Sequence, residues 1–219
     1  MQIAIDGPAG AGKSTIAKDM AKALSFRYVD TGMMYRALAW ALEKEGTPTD
    51  DHDAVVKRLP DMDMEVLFDG DVQTVTVNGE DPGEAVRTAE AAMGASNVAV
   101  FAEVRDKLIT LQRQTAERHD VIMDGRDITT CVLPDADFKF YVTATPHARA
   151  VRRHQDLLAL GRDVDVDVIE KEIRERDAQD MHREIAPLKR TPEQILIDTT
   201  EMTQQQAADK MLAIIRAQQ

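Results

Sequence analysis

A chain of 219 residues with 43% apolar and 30% charged side chains has material for one large domain, or for a core carrying an insertion, and excludes wholesale disorder. Its apolar runs are a handful of residues long, against the ~18–20 that a bilayer-crossing helix needs, and its single cysteine, Cys131, allows no internal disulfide. Lys plus Arg total 27 against 39 Asp plus Glu, a net charge of −12; this argues against duplex nucleic acid as the main partner but leaves small anions open.

In chain order, residues 2–6 (QIAID) form a short apolar run ending at Gly7, the pattern of a buried parallel strand rather than of a leader segment. A glycine-rich loop over 7–12 follows, then a helix over 13–24 with Ile16, Met20 and Leu24 at helical spacing. Residues 26–30 read as a second strand and 33–44 as a second helix stopped near Gly46, with Trp40 on its apolar face. Two β-type runs, 64–68 and 72–77, flank Asp69-Gly70-Asp71, a hairpin signal, and Asn78-Gly79 offers a second turn. A hairpin here interrupts strand–helix alternation, so it reads as an inserted subdomain. Helices are expected near 88–99 and 101–118, and strands over 121–124 and 138–142. A helix should start at Thr145-Pro146 and stop at Gly161, and another should run from 166 to 186, before Pro187. A fifth strand at 195–198 and a last helix close the chain. Apolar strands alternating with helices predict a parallel sheet covered on its faces.

Gly7-Pro8-Ala9-Gly10-Ala11-Gly12-Lys13-Ser14 fits G-x-x-x-x-G-K-[ST], with Thr15 following. Glycines let backbone N–H groups turn around phosphate oxygens, and the helix N-terminus adds its positive dipole end. Lys13 can reach the β- and γ-phosphates of a nucleotide, and the Ser14 hydroxyl can ligate Mg²⁺. From this chain's own residue frequencies a chance match amounts to roughly 0.002. Val121–Asp124 reads as the strand that brings Asp124 to the metal, although many buried strands end in Asp.

A phosphate loop leaves the protein class open. A guanine-reading Asn/Thr-Lys-x-Asp is absent from the sequence. A small-molecule kinase needs a second anion site rich in arginine, because donor and acceptor phosphates repel each other. Seven arginines fall between Arg149 and Arg183. Arg176, Asp180 and Arg183 lie at i, i+4 and i+7, one face of a single helix, and Arg149, Arg152 and Arg153 lie on the helix before it. Such charged sets are more often solvated faces. Joined by Gly161-Arg162-Asp163, the two helices read as a lid that carries charge and excludes water.

Six segments together carry a sharper signal: 7–15 (GPAGAGKST), 30–37 (DTGMMYRA), 96–113 (SNVAVFAEVRDKLITLQR), 124–134 (DGRDITTCVLP), 176–188 (RDAQDMHREIAPL) and Asp198-Thr199-Thr200. With the hairpin insert, they resemble the bacterial-type cytidylate kinases of the P-loop nucleoside monophosphate kinase family over nearly the whole chain. The resemblance implies an α/β fold: a P-loop core with a five-stranded parallel sheet flanked by helices, a small inserted β-containing monophosphate-binding subdomain, and a helical lid. The core would span about 1–58, 119–147 and 187–219, the insert about 59–118 and the lid about 148–186.

It further implies transfer of the γ-phosphate of ATP to CMP or dCMP, with Mg²⁺, in a cytoplasmic monomer that engages neither nucleic acid nor membrane. Arg36, Arg126 and Arg183 would hold the acceptor phosphate. Ser96, Arg105 and Asp127 would read cytosine, whose exocyclic amine a carboxylate can accept while a guanidinium donates to O2 or N3. Thr31, Arg176 and Asp180 would approach the ribose, and Tyr35 would line the acceptor site. Lys13, Arg126, Arg183 and the lid arginine Arg152 would stabilise the transferring group. Ser14 would ligate Mg²⁺, with Asp30 and Asp124 as outer-shell groups. The sequence departs from the family pattern at Met33, Ala102, Thr129 and Gln179. Other monophosphate or metabolite kinases (for UMP, AMP or dephospho-CoA) and a non-catalytic nucleotide-binding regulator are the competing readings.

Overall fold

The computed structural model describes residues 1–218. In chain order its elements are β1 (Gln2–Asp6), α1 (Lys13–Leu24), β2 (Arg27–Asp30), α2 (Thr31–Lys44), α3 (His52–Arg58), β3 (Met64–Asp69), β4 (Val72–Val77), α4 (Ala89–Val98) and α5 (Ala102–Arg118). They continue with β5 (Val121–Gly125), β6 (Phe138–Thr143), α6 (Pro146–Ala159), α7 (Val166–His182), β7 (Ile195–Asp198) and α8 (Gln204–Arg216). One sheet has the strand order β2-β5-β1-β6-β7, the other is the β3-β4 pair. The expected five-stranded sheet flanked by helices is therefore present. No helix among the described residues is long and apolar enough to cross a membrane.

The chain divides into two compact units, residues 1–26 with 121 onward, and residues 27–120. In the first, β1 lies between β5 and β6, parallel to both, and β6 pairs in parallel with β7. A strand flanked on both sides and covered on both faces is largely apolar, and Ile3, Ala4 and Ile5 are fully buried. The chain crosses from one side of β1 to the other, so loops diverge at the carboxyl end of the strand and leave a crevice, the usual ligand position in such sheets. Asp6 is in register there with Gly125 and Tyr141. Helix α1 buries Ile16, Ala17, Met20 and Ala21. Helices α6 and α7 share a small core of Ala150, Leu157 and Ile169.

In the second unit, Asp30 caps α2 by accepting the Met33 N–H at 2.9 Å. The helix therefore starts at Thr31, two residues before the expected Met33. Helix α2 buries Met34, Ala37, Leu38, Ala41 and Leu42. Trp40 is only half-buried, with the Lys44 ammonium 5.1 Å from its ring centre, so it is a boundary residue rather than core. The hairpin forms as expected, but Asp69 pairs with Val72 inside the ladder and the turn is Gly70-Asp71, with Gly70 at φ 56°. Asn78 and Gly79 both take positive φ, 52° and 78°, which closes the second turn.

Two further expectations change. Helix α3 was not apparent in the sequence, because only Val55 of its seven residues is buried and no periodic stripe marks it. Helix α7 ends at His182 and not at residue 186: Arg183 is extended (φ −61°, ψ 142°) and Ala186 sits at φ 48°. Arg183 is thus the C-cap, not a third member of the Arg176/Asp180 helix face.

Candidate active site

The loop after β1 is shaped by backbone conformations that L side chains rarely adopt. Gly7 has φ +147°, and a Cβ there would overlap the Val142 carbonyl oxygen of β6. Gly12, the N-cap of α1, has φ 89°. Lys13 turns back into this loop, its Nζ donating to the Pro8 carbonyl at 2.8 Å, and it is buried. Burial, seconded by the Arg126 guanidinium, lowers its pKa to about 7, against opposing pulls from Asp124, Asp6 and Asp180.

The Ser14 hydroxyl donates to Asp124 Oδ2 at 2.9 Å. The two groups come from the helix start and the end of β5, 110 residues apart. A hydroxyl and a carboxylate are hard oxygen donors, the type Mg²⁺ takes together with water and phosphate oxygens, so this pair fits that ion.

Arg126 donates through Nε to Asp180 Oδ2 at 2.7 Å and through its terminal nitrogen to the Gly125 carbonyl at 3.2 Å. Arg183 lies 3.4 Å from Asp127 Oδ1 and donates through Nε to the Ala186 carbonyl at 2.6 Å. Both arginines are thus pre-oriented by a carboxylate, which lowers the entropy lost when a planar guanidinium grips phosphate. Asp127 is buried, directly ahead of the short π-helical turn Ile128–Val132. Arg176 lies on α7, four residues before Asp180.

Arg149 departs from the solvated-face expectation. It is 2% exposed and forks onto Asp177 at 3.0 and 2.5 Å, while also donating to the Ala9 carbonyl of the phosphate loop and to the Ala144 carbonyl, both at 3.0 Å. No local pattern marks this residue, since its partner sits 28 positions away on the next helix. Arg149→Met is expected to destabilise the chain by about 3–5 kcal/mol, because Asp177 is left buried and unpaired, and to weaken ATP binding by loosening Ala9. Urea denaturation and ATP titration check this; unchanged values for both would remove Arg149 from the loop's support. Arg152 donates to the Thr199 carbonyl and hydroxyl and to the Met202 carbonyl, and Thr199 Oγ1 lies 3.2 Å from the Ala11 carbonyl.

In the second unit Arg36 pairs with Asp30 at 2.9 Å, and Gly32 leaves room for that guanidinium, which a Cβ would meet. Asp30 is further held by the hairpin, its N–H donating to Gln73 Oε1 at 2.7 Å. Arg105 is 2% exposed and lies 3.5 Å from the Tyr35 hydroxyl; Thr31 is also buried. The Ser96 hydroxyl donates to the Ala92 carbonyl of its own helix at 3.1 Å.

The family model for cytidylate kinase matches residues 3–217. Among curated relatives, the cytidylate kinase of Geobacillus sp. strain WCH70 is 42% identical over 215 residues, 98% of this chain and 96% of the relative. That of Bacillus subtilis strain 168 is 41% identical over 215 residues, 98% and 96% of the two chains. That of Lactobacillus gasseri is 42% identical over 219 residues, 100% and 95%. Among solved structures, a shikimate kinase from Bacteroides thetaiotaomicron aligns with TM-score 0.50 at 14% identity, covering 99% of this chain and 98% of its own. An uncharacterised protein from Eubacterium ventriosum aligns with TM-score 0.55 at 13% identity, with the same coverage of both chains. At such identities these structures speak for the fold alone.

Proposed function

The chain belongs to the cytidylate kinase family, and from that premise we propose how its residues move the γ-phosphate of ATP to CMP or dCMP, giving ADP and CDP or dCDP. The observation that carries the reading is the buried Lys13 on a phosphate loop, in the same unit as the carboxylate-oriented pairs Arg126–Asp180 and Arg183–Asp127. Gly7 through Thr15 hold the ATP phosphates by backbone N–H groups and the α1 N-terminus. Lys13 recovers its full charge against those phosphates. Ser14 would hold Mg²⁺, with Asp124 and Asp30 as outer-shell groups, and the ion would supply charge neutralisation on the donor phosphates.

Arg126 and Arg183, with Arg36, receive the phosphate of CMP. Asp127, Arg105 and Ser96 read the base, Thr31, Arg176 and Asp180 hold the ribose, and Tyr35 lines the acceptor site. Arg152 exchanges its Thr199 and Met202 partners for the transferring group when ATP arrives. The CMP phosphate is already an anionic nucleophile, so in-line transfer needs no general base and no phosphoenzyme, only positioning and charge stabilisation. Residues 59–118 act as the monophosphate-binding insert and 148–186 as the lid. The working form is a cytoplasmic monomer that binds neither nucleic acid nor membrane.

A coupled ADP-release assay with CMP, UMP, AMP and GMP as acceptors tests the reading. CMP is expected to exceed each of the others in kcat/KM by about 10²-fold or more, because a carboxylate aimed at an amine is left unpaired by the wrong base. Comparable turnover of UMP or AMP would replace it with another monophosphate kinase.

A further inference from the structure

Asp6 is fully buried at the end of β1 and accepts four hydrogen bonds. Oδ1 takes the Ile128 N–H at 2.7 Å, and Oδ2 takes the Thr129 N–H at 3.0 Å, the Thr129 hydroxyl at 2.5 Å and the Gln194 side-chain amide at 3.0 Å. The same Gln194 amide lies 2.6 Å from the Thr129 hydroxyl, while its oxygen accepts the Thr191 N–H at 2.7 Å. Residues 6, 129 and 194 are thus closed into one network inside the first unit, and no buried side-chain polar atom among the described residues lacks a partner. Burial raises the Asp6 pKa, and the Thr129 and Ile128 donors pull it back. Apart from the pull of the Asp6 charge on Lys13, none of these groups enters the chemistry described above.

The network acts where it touches backbone. The Ile128 N–H belongs to the peptide plane that begins at the Asp127 carbonyl carbon. Asp127 meets that plane at φ −147° and ψ 26°, so holding the plane anchors one side of the Asp127 Cα and narrows the directions in which its side chain can leave the chain. The Asp127 carbonyl is meanwhile held by the Thr130 and Cys131 N–H groups at 3.3 and 2.8 Å.

We propose that Asp6, Thr129 and Gln194 are positioning residues for base selection: they aim the Asp127 carboxylate at the acceptor base from beneath its turn. The inference rests on the reading that Asp127 recognises cytosine. A core polar cluster retained for stability alone would move the melting temperature without moving base preference. A positioning network moves the preference even where the fold holds.

The test measures kcat/KM for CMP and UMP at saturating ATP, with the KM for ATP and the melting temperature, in the full-length wild type and in Thr129→Val, Thr129→Ser and Asp127→Ala. Thr129→Val removes the hydroxyl at nearly constant volume and is expected to lower the CMP/UMP ratio about tenfold, the scale of one lost hydrogen bond to a charged group. The KM for ATP should stay within about threefold, since no network bond reaches the phosphate loop's own N–H groups. Thr129→Ser should restore the ratio. A Thr129→Val enzyme that melts lower but keeps its ratio, while Asp127→Ala loses discrimination, would overturn the inference alone. A ratio unmoved by Asp127→Ala as well would remove the base-reading assignment and the inference with it. Should Thr129→Val fail to fold, Gln194→Met takes its place, with an expected fall of about threefold; an unchanged ratio there overturns the inference equally.

Discussion

Lys13→Met is expected to lower kcat by about 10³-fold or more, while the melting temperature near pH 7 holds or rises. Both halves follow from one placement. On the proposed reading the ammonium serves the transferring phosphate, and it is buried among groups that leave its pKa at about 7. In the unfolded chain the same lysine titrates near the ordinary lysine value of 10.5. Between about pH 7 and 10.5 the unfolded state therefore binds more protons, and wild-type stability contributed by this site rises with pH through that window. Below about pH 7 the penalty is present in full. Methionine removes the charge and so removes the penalty. Thermal denaturation of both proteins at about pH 6.5 and about pH 9 checks the stability half: the difference should favour the variant and shrink as pH rises. Near-normal turnover in the variant would end the donor-site assignment. A variant clearly less stable at the lower pH would mean that the Pro8 contact outweighs desolvation.

The second large effect concerns Asp127. Asp127→Ala is expected to reduce the CMP/UMP ratio of kcat/KM by about 10²-fold, mostly by loss of CMP turnover rather than by gain of UMP turnover. Asp127 is 8% exposed, is carried just ahead of a hydrogen-bonded turn, and is paired with Arg183. On the proposed reading, cytosine offers its amine to Asp127 where uracil has a carbonyl, so the desolvation of that carboxylate goes uncompensated only with the wrong base. Because Arg183 loses its carboxylate partner, the KM for both acceptors should rise together, separately from the ratio. Initial-rate kinetics with both acceptors distinguish the two effects. A ratio left at the wild-type value would mean that another group reads the base.

The strands of the main sheet were legible as short, largely apolar runs: 2–6 and 195–198 match their observed spans, although only Ile197 of the edge strand β7 is buried, and 138–142 falls one residue short at its carboxyl end. Helix ends were less so. Nothing local told the chain to leave the helix at Arg183 rather than at Pro187; the Leu188 N–H returns to the Asp180 carbonyl at 2.8 Å, a contact made only once the turn has formed. The same applies to α3, which is capped by Asp51 but carries too little buried surface to print a periodic pattern. In the candidate site, the phosphate loop was legible as a contiguous motif, because consecutive backbone groups do the binding. Arg149 was misread, and Asp6, Thr129 and Gln194 carried no signal as a set.

By itself, the sequence determined the alternation of buried strands and helices, the phosphate loop and its lysine, and a surplus of arginine on two neighbouring helices. These depend on residue type at short spacing, and short spacing is all that periodicity and turn chemistry encode. Only the tertiary structure decided which charges are buried and whom they meet. Arg149 became a support of the phosphate loop through Asp177, and Asp6 came to hold the turn after Asp127 from more than a hundred positions away. Desolvation and hydrogen-bond geometry are set by what surrounds a group in space, and no window along the chain contains that.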